Sequence, residues 1–200
     1  MQPIEDYDAR TALVVVDVQN DFTDPAGGLA VDDALAILPE VNARVAACRE
    51  AGGLVVYTQD WHPERTPHFA TDGGPWPVHC VRDTWGAALH PDLVVDGPVV
   101  QKGVGGEDGY SGFSVRDPVR GDVTRTELGA LLDAHGAERV VVVGLAGDVC
   151  VAATAEDAAA LGYRTVVPLA ATRMVELHAG DGDRVIARLQ DAGIDVIPSA

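Results

Sequence analysis

Two hundred residues with 47% hydrophobic and 22% charged content suit one α/β domain spanning residues 1–200, and leave little room for a second. Fourteen basic against 31 acidic residues give a net charge of −17, which disfavours phosphate backbones and anionic membranes, so neither nucleic acid nor membrane is expected as a partner. Apolar runs of strand length only, an acidic opening (MQPIEDYDAR) unlike a signal peptide, and three cysteines, an odd and sparse set, point to a reduced, cytoplasmic protein.

Residues 11–16 (TALVVV) form a continuous apolar run and predict a buried parallel strand. The run stops at Asp17, within DVQNDF. A carboxylate at the carboxyl end of such a strand faces the crevice where open α/β sheets hold ligands, although a turn cap also uses this residue type. After a Gly-rich loop, residues 39–51 carry Val41, Val45 and Cys48 at helical spacing, with Pro39 suited to the first turn and Gly52 to the stop. Cys48 falls on the apolar face and reads as core.

Residues 54–58 (LVVYT) predict the next strand, which delivers QDWHPERTPHFATDGGPWPVHC. Its prolines make this stretch, about 60–80, a loop. Asp60, His62, His68 and His79 lie in it, and carboxylate and imidazole are the ligands of Zn, Fe, Mn or Co. A polar surface loop with scattered histidines is the bland reading, since D-x-H alone is a weak signal. Cys80 reads as a structural thiol.

Residues 98–101 (PVVQ) predict a short strand leading to Lys102, the sole lysine among fourteen basic residues, followed by GVGGEDGYSGF. Position 108 is Asp where G-x-G-x-x-G requires glycine, so dinucleotide binding is discounted and a mobile or substrate-covering loop expected. Residues 126–135 predict a helix. Residues 140–143 (VVVV) predict a buried strand ending at Gly144, with a helix beginning after Asp148. Cys150 therefore sits at a strand-to-helix turn, where the helix's free N–H groups and positive end favour a thiolate and are expected to lower its pKa. Strands at 164–169 and 194–197, separated by a helix over 183–192, complete the alternation. Such alternation implies a parallel sheet with right-handed crossovers. His90, His135 and His178 have no grouping and receive no role.

Asp17, Lys102 and Cys150 all stand at or just past a predicted strand's carboxyl end, on one rim of the sheet. A carboxylate that takes the thiol proton, a fixed ammonium and a thiolate make an acyl-transfer site.

ALVVVDVQNDF, the D-W-H and W-P-V-H-C segments, Q-K-G ahead of YSGF, and GLAGDVCVAATAEDA resemble, in order, the nicotinamidases (pyrazinamidases) of the isochorismatase-like cysteine hydrolase superfamily. The resemblance runs from about residue 11 to 169. It implies a three-layer α/β/α sandwich with a mostly parallel, Rossmann-like central sheet. The activity it implies is hydrolysis of nicotinamide to nicotinate and ammonia, and of pyrazinamide to pyrazinoate, in NAD salvage. Residue by residue it implies Asp17, Lys102 and Cys150 as catalytic, and Ala146 and Cys150 as oxyanion-hole donors beside a cis Leu145–Ala146 peptide. It makes Asp60, His62, His68 and His79 ligands of one divalent metal (Zn, Fe or Mn), with no organic cofactor. Phe22, Trp76 and Tyr110 would bind the pyridine ring. Two departures stand out. Gly147 replaces the Thr or Ser of many relatives, and the loop between Lys102 and Tyr110 is about one residue longer than theirs. A sister amidase acting on a ureido or carbamoyl compound, a hydrolase using metal-bound water, and a noncatalytic metal- or ligand-binding module remain open, as do monomer and homo-oligomer.

Overall fold

In the computed structural model, which describes residues 6–199, the chain folds around a twisted parallel sheet; residues 1–5 and 200, included in the single-domain expectation, and the first half of the acidic opening lie outside the described residues. The strands are β1 (Thr11–Val16), β2 (Leu54–Asp60), β3 (Val99–Lys102), β4 (Ser114–Arg116), β5 (Val123–Arg125), β6 (Arg139–Leu145), β7 (Arg164–Pro168), β8 (Thr172–Arg173) and β9 (Asp195–Ile197). The helices are α1 (Asn20–Thr23), α2 (Leu38–Glu50), α3 (Leu128–His135), α4 (Ala152–Ala160) and α5 (Asp181–Asp191). The sheet runs β3-β2-β1-β6-β7-β9, with β8 paired to β6 and every pairing within it parallel.

The two continuous apolar runs become the central pair, β1 and β6, in register from Thr11↔Arg139 to Val16↔Gly144. Their alternate residues supply both faces. Leu13, Val15, Val141 and Val143 pack with Val41, Val45 and Cys48 of α2, while Ala12, Val14, Val16, Val140 and Val142 pack with Leu128 and Leu132 of α3, Ala152 and Ala155 of α4, and Val185 and Leu189 of α5. A strand buried on both faces gains from an unbroken apolar sequence. The resulting three layers are those expected.

Several boundaries moved. Strand β2 runs on to Asp60 and β6 to Leu145, α5 starts at Asp181, and a π-helical turn, Gly147–Val151, precedes α4. The antiparallel β4–β5 hairpin and the four-residue α1 were not anticipated, because strands of three residues and a single helical turn leave no periodicity to read. All three cysteines are free. Among the described residues no helix is long and apolar enough to cross a membrane.

Strand order reverses between β1 and β6, where the chain passes outward to β2 on one side and to β7 on the other. Open parallel sheets place their ligand crevice at this switch point, beyond the carboxyl ends of the strands.

Candidate active site

Asp17 leaves β1 with φ 50°, a left-handed conformation uncommon outside glycine and one that persists where surrounding structure enforces it. Its side chain is fully buried. Oδ1 accepts from the Thr58 hydroxyl at 2.6 Å and Oδ2 from Lys102 Nζ at 2.7 Å. Lys102, also fully buried at the end of β3, donates to the Gly109 carbonyl and lies 3.2 Å from Asp60 Oδ1. One ammonium thus sits between two buried carboxylates.

Cys150 comes from the π-helical turn and is nearly buried. Its thiol stands beside Asp17: one ligating atom each of Asp17, Asp60 and Cys150 lie within 4.8 Å of one another. The Leu145–Ala146 peptide is cis, as the resemblance implied. Val149 and Val151 both donate to the Ala146 carbonyl, tying the turn to that peptide.

The electrostatics correct one expectation. Burial, with the Asp17 and Asp60 carboxylates adding to it, pushes the Cys150 thiol well above its ordinary value, and Lys102 opposes this only in part. The helix-start argument fails because the sulfur lies in a buried acidic cluster, within a π-helical turn ahead of the regular helix. Burial also raises the Asp17 carboxyl, to about 6, against the pull of Lys102. Asp60 goes the other way: burial is outweighed by Lys102, His62 and His79, which hold it well below the carboxylate range. Lys102, despite burial, is held well above the usual lysine value by Asp17 and Asp60.

The sequence string DVQND has a part for each polar side chain. Gln19 accepts from the Asp60 backbone N–H and donates to the Asp60 and Ala87 carbonyls, each at 2.8 Å, so β1 fixes where β2 ends. Asp21 accepts from the N–H of Cys80 at 2.6 Å and of Gly28 at 2.8 Å, drawing the histidine loop and the Gly-rich loop to α1. These two roles were not read from the sequence, since their partners are remote along the chain.

His62, His68 and His79 come together, and Asp60 stands beside two of them. One ring nitrogen each of His62, His68 and His79 lie within 4.8 Å of one another, all three residues are buried, and Asp60 Oδ2 is 3.8 Å from Nε2 of both His62 and His79. His79 Nδ1 pairs with the Pro77 carbonyl at 2.7 Å, leaving Nε2 for the cluster. Both ring nitrogens of His62 are buried without a hydrogen-bond partner, and Oδ1 of Asp60 has the Lys102 ammonium at 3.2 Å as its ion-pair partner. Buried polar atoms are costly unless paired, and this donor set of one carboxylate and imidazoles suits a divalent cation. The residues present therefore fit a metal. Cys80 is buried outside the group.

Above Cys150 opens a small, mainly apolar cavity lined by Phe22, Leu29, Val31, Trp76, Tyr110, Ala146, Val149 and Val175, with Asp60, His68 and His79 also on its wall. Trp76 Nε1 donates to the Tyr110 hydroxyl at 2.9 Å, joining two of the three predicted aromatic residues, while Phe22 lines the cavity against His79. Leu29, Val31, Val149 and Val175 went unpredicted as lining residues; aliphatic residues in loops carry no signal that separates lining from core. Val175 is held in place by Asp148, whose carboxylate accepts from the N–H of Val175 and of Glu176 at 2.8 Å. Gly147 also gains an account. A Cβ there would stand 2.6 Å from Met174 Sδ and 2.9 Å from Thr172 Oγ1, so Met174 and the Thr172 hydroxyl, which donates to the Gly144 carbonyl, fill the space a side chain would take.

The isochorismatase domain model matches residues 11–200. The nicotinamidase of Acinetobacter baylyi is 38% identical over 186 residues, 84% of this chain and 83% of that protein. The crystal structure of PnC1 from L. infantum in complex with nicotinate superposes with a TM-score of 0.87 at 36% identity, covering 96% of this chain and 94% of the other. That of the pyrazinamidase of Pyrococcus horikoshii in complex with zinc gives 0.83 at 36%, covering 95% and 99%.

Proposed function

The chain belongs to the isochorismatase family, and we propose that it is a nicotinamidase, a hydrolase that converts nicotinamide to nicotinate and ammonia and pyrazinamide to pyrazinoate, in NAD salvage. One observation carries the reading: a buried carboxylate, Asp17, stands between the Lys102 ammonium and the Cys150 thiol at the floor of a small apolar cavity walled by aromatic residues. The relative crystallised with nicotinate supports the ligand class.

Asp17 takes the Sγ proton of Cys150, and the thiolate attacks the carboxamide carbon. The N–H groups of Ala146 and Cys150 hold the resulting oxyanion, an interaction that strengthens as charge develops. Asp17 returns the proton to the amide nitrogen, the C–N bond breaks and ammonia leaves, with the acyl group on sulfur. A water then gives a proton to Asp17 and attacks the thioester. The C–S bond breaks, Asp17 returns its proton to Sγ, and the product leaves as nicotinic acid, which gives its own proton to water or ammonia to become nicotinate. At the start of each half Lys102 favours the ionised, proton-accepting form of Asp17 in an apolar setting. Phe22, Trp76 and Tyr110 hold the ring. Asp60, His62, His68 and His79 would hold a divalent cation (Zn, Fe or Mn) that supplies an electropositive anchor for the pyridine nitrogen. Three free thiols suit a cytoplasmic setting.

The test is ammonia release from nicotinamide by wild type and Cys150→Ala, before and after chelation and metal add-back. The expected result is turnover by wild type, reversible loss on chelation, and none by Cys150→Ala. Inactive wild type with metal restored would move the substrate to another small amide, and an active Cys150→Ala would overturn the mechanism.

A further inference from the structure

The Gly-rich loop after Lys102, set aside above as a cofactor motif, presses on the histidine cluster from behind. Gly103 has φ +72°, and a Cβ there would stand 2.5 Å from His62 Cε1, so only glycine lets this backbone lie against the imidazole. Three residues on, the Gly106 carbonyl accepts from the Thr66 hydroxyl at 2.6 Å, joining the loop to the histidine-bearing segment. The loop then enters an antiparallel bridge in which Asp108 and Arg116 exchange backbone hydrogen bonds of 2.8 and 2.9 Å. Held at both points, it carries the Asp108 side chain to His68, where Oδ1 lies 2.7 Å from Nδ1.

A carboxylate at this distance accepts, so the neutral imidazole of His68 carries its proton on Nδ1 and presents Nε2 as its lone-pair nitrogen. The ring cannot turn freely, being stacked near His62 (centroids 4.7 Å, 21°) and Trp76 (6.4 Å, 25°). His79 has the same arrangement, with the Pro77 carbonyl in place of the carboxylate. We propose that Asp108 is a positioning residue of the metal centre: it fixes the tautomer and orientation of His68 so that Nε2 faces the cation. The proposal rests on the reading of His68 as a ligand. Outer carboxylates of this kind typically change metal affinity by about 10–100-fold.

Zinc affinity is measured by competition with a chromophoric chelator for wild type, Asp108→Ala, Asp108→Asn, His68→Ala and the double variant His68→Ala/Asp108→Ala, and cobalt(II) is added to each to record its visible spectrum. Asp108→Ala should bind zinc about 10–100-fold more weakly and show an altered cobalt spectrum. Asp108→Asn, which keeps an acceptor oxygen, should lie between, and the double variant should bind no more weakly than His68→Ala alone. If His68→Ala is weakened while Asp108→Ala stays within twofold of wild type, or if Asp108→Ala weakens binding further in the His68→Ala background, the positioning role is overturned and the ligand reading stands. If His68→Ala binds zinc as wild type does, the ligand reading falls and the proposal with it. A measurement on zinc-loaded wild type guards against a variant that fails to fold: the long-range 1H–15N spectrum should show His68 protonated at Nδ1, and protonation at Nε2 overturns the proposal.

Discussion

Replacing Lys102 by Met removes the ammonium while nearly keeping the side chain's length and volume, and the consequences can be worked from two distances. Nζ stands 2.7 Å from Asp17 Oδ2 and 3.2 Å from Asp60 Oδ1. At an effective dielectric constant of about 20, the first pair alone is worth ~6 kcal/mol. At ~1.4 kcal/mol per unit, losing even half of that lifts the Asp17 carboxyl, already raised to about 6, past pH 8. A protonated Asp17 cannot accept the Cys150 proton. The expected result is a wild-type kcat/KM that falls below pH 6 and a Lys102→Met profile whose acid limb sits at least two units higher. At pH 7 the variant should lose between tenfold and ~10³-fold, and regain activity as the pH rises. Stability follows in sign. A carboxyl whose pKa is higher folded than unfolded holds its proton more tightly in the native state, so stability declines as pH rises from about 4 to the folded value. In the variant this window extends upward. Its deficit in urea unfolding, about 3–5 kcal/mol for a broken buried pair, should therefore be smaller at pH 5 than at pH 8. An acid limb that stays near 6 in Lys102→Met would refute the assignment of Asp17 as the base kept ionised by Lys102.

Three further substitutions test other parts of the site. Gly147→Thr should cost about 1–3 kcal/mol in urea unfolding, because its Cβ meets Met174 and Thr172, and Met174→Ala in the same chain should lower that cost; an equal cost in both backgrounds would show that Met174 is not the obstacle. Asp148→Ala strips the acceptor from two backbone N–H groups, worth about 1–3 kcal/mol, and loosens the Val175 wall. KM for nicotinamide should rise severalfold with a smaller change in kcat, and unchanged steady-state constants would separate that clamp from the cavity. Asp17→Asn keeps the shape but offers Cys150 no base, so turnover should be lost across the whole pH range with the fold intact by circular dichroism. Activity restored at alkaline pH would point to a different base.

Much of this arrangement is legible in the chain because two kinds of signal are local. Runs such as TALVVV and VVVV are apolar throughout, since β1 and β6 are covered on both faces, and where each run stops a reactive side chain stands at the sheet's rim. Histidines clustered in one loop next to Asp60 are likewise visible without coordinates. What could not be read depends on pairings across the sequence. Gln19 recognises the end of β2 forty-one residues away, Asp108 reaches back forty residues to His68, and Asp148 reaches forward to Val175. Such side chains look like ordinary loop polars until the fold brings their partners in. The thiol's ionisation was misjudged for a related reason, as a helix start is a local feature whereas burial beside two carboxylates is a tertiary one.

That misjudgement bears on how the nucleophile is released. Asp17 and Lys102 cancel each other while the thiol is neutral, and Asp60 faces the histidines with which it would hold a cation. Ionising Cys150 by losing a proton to solvent would leave an uncompensated negative charge in a buried volume, and burial first, then the Asp17 carboxylate beside it, drives the thiol upward. Passing that proton to Asp17 adds none: the charge moves from carboxylate to sulfur, and Lys102, held charged by its two partners, stays beside it. The same burial that makes the free thiol a poor acid makes Asp17 a stronger base than an exposed carboxylate, at about 6. The two shifts therefore belong to one device, in which the nucleophile forms by an internal transfer that conserves the charge of the cluster. This is why the carboxylate must be buried with the cysteine rather than merely near it.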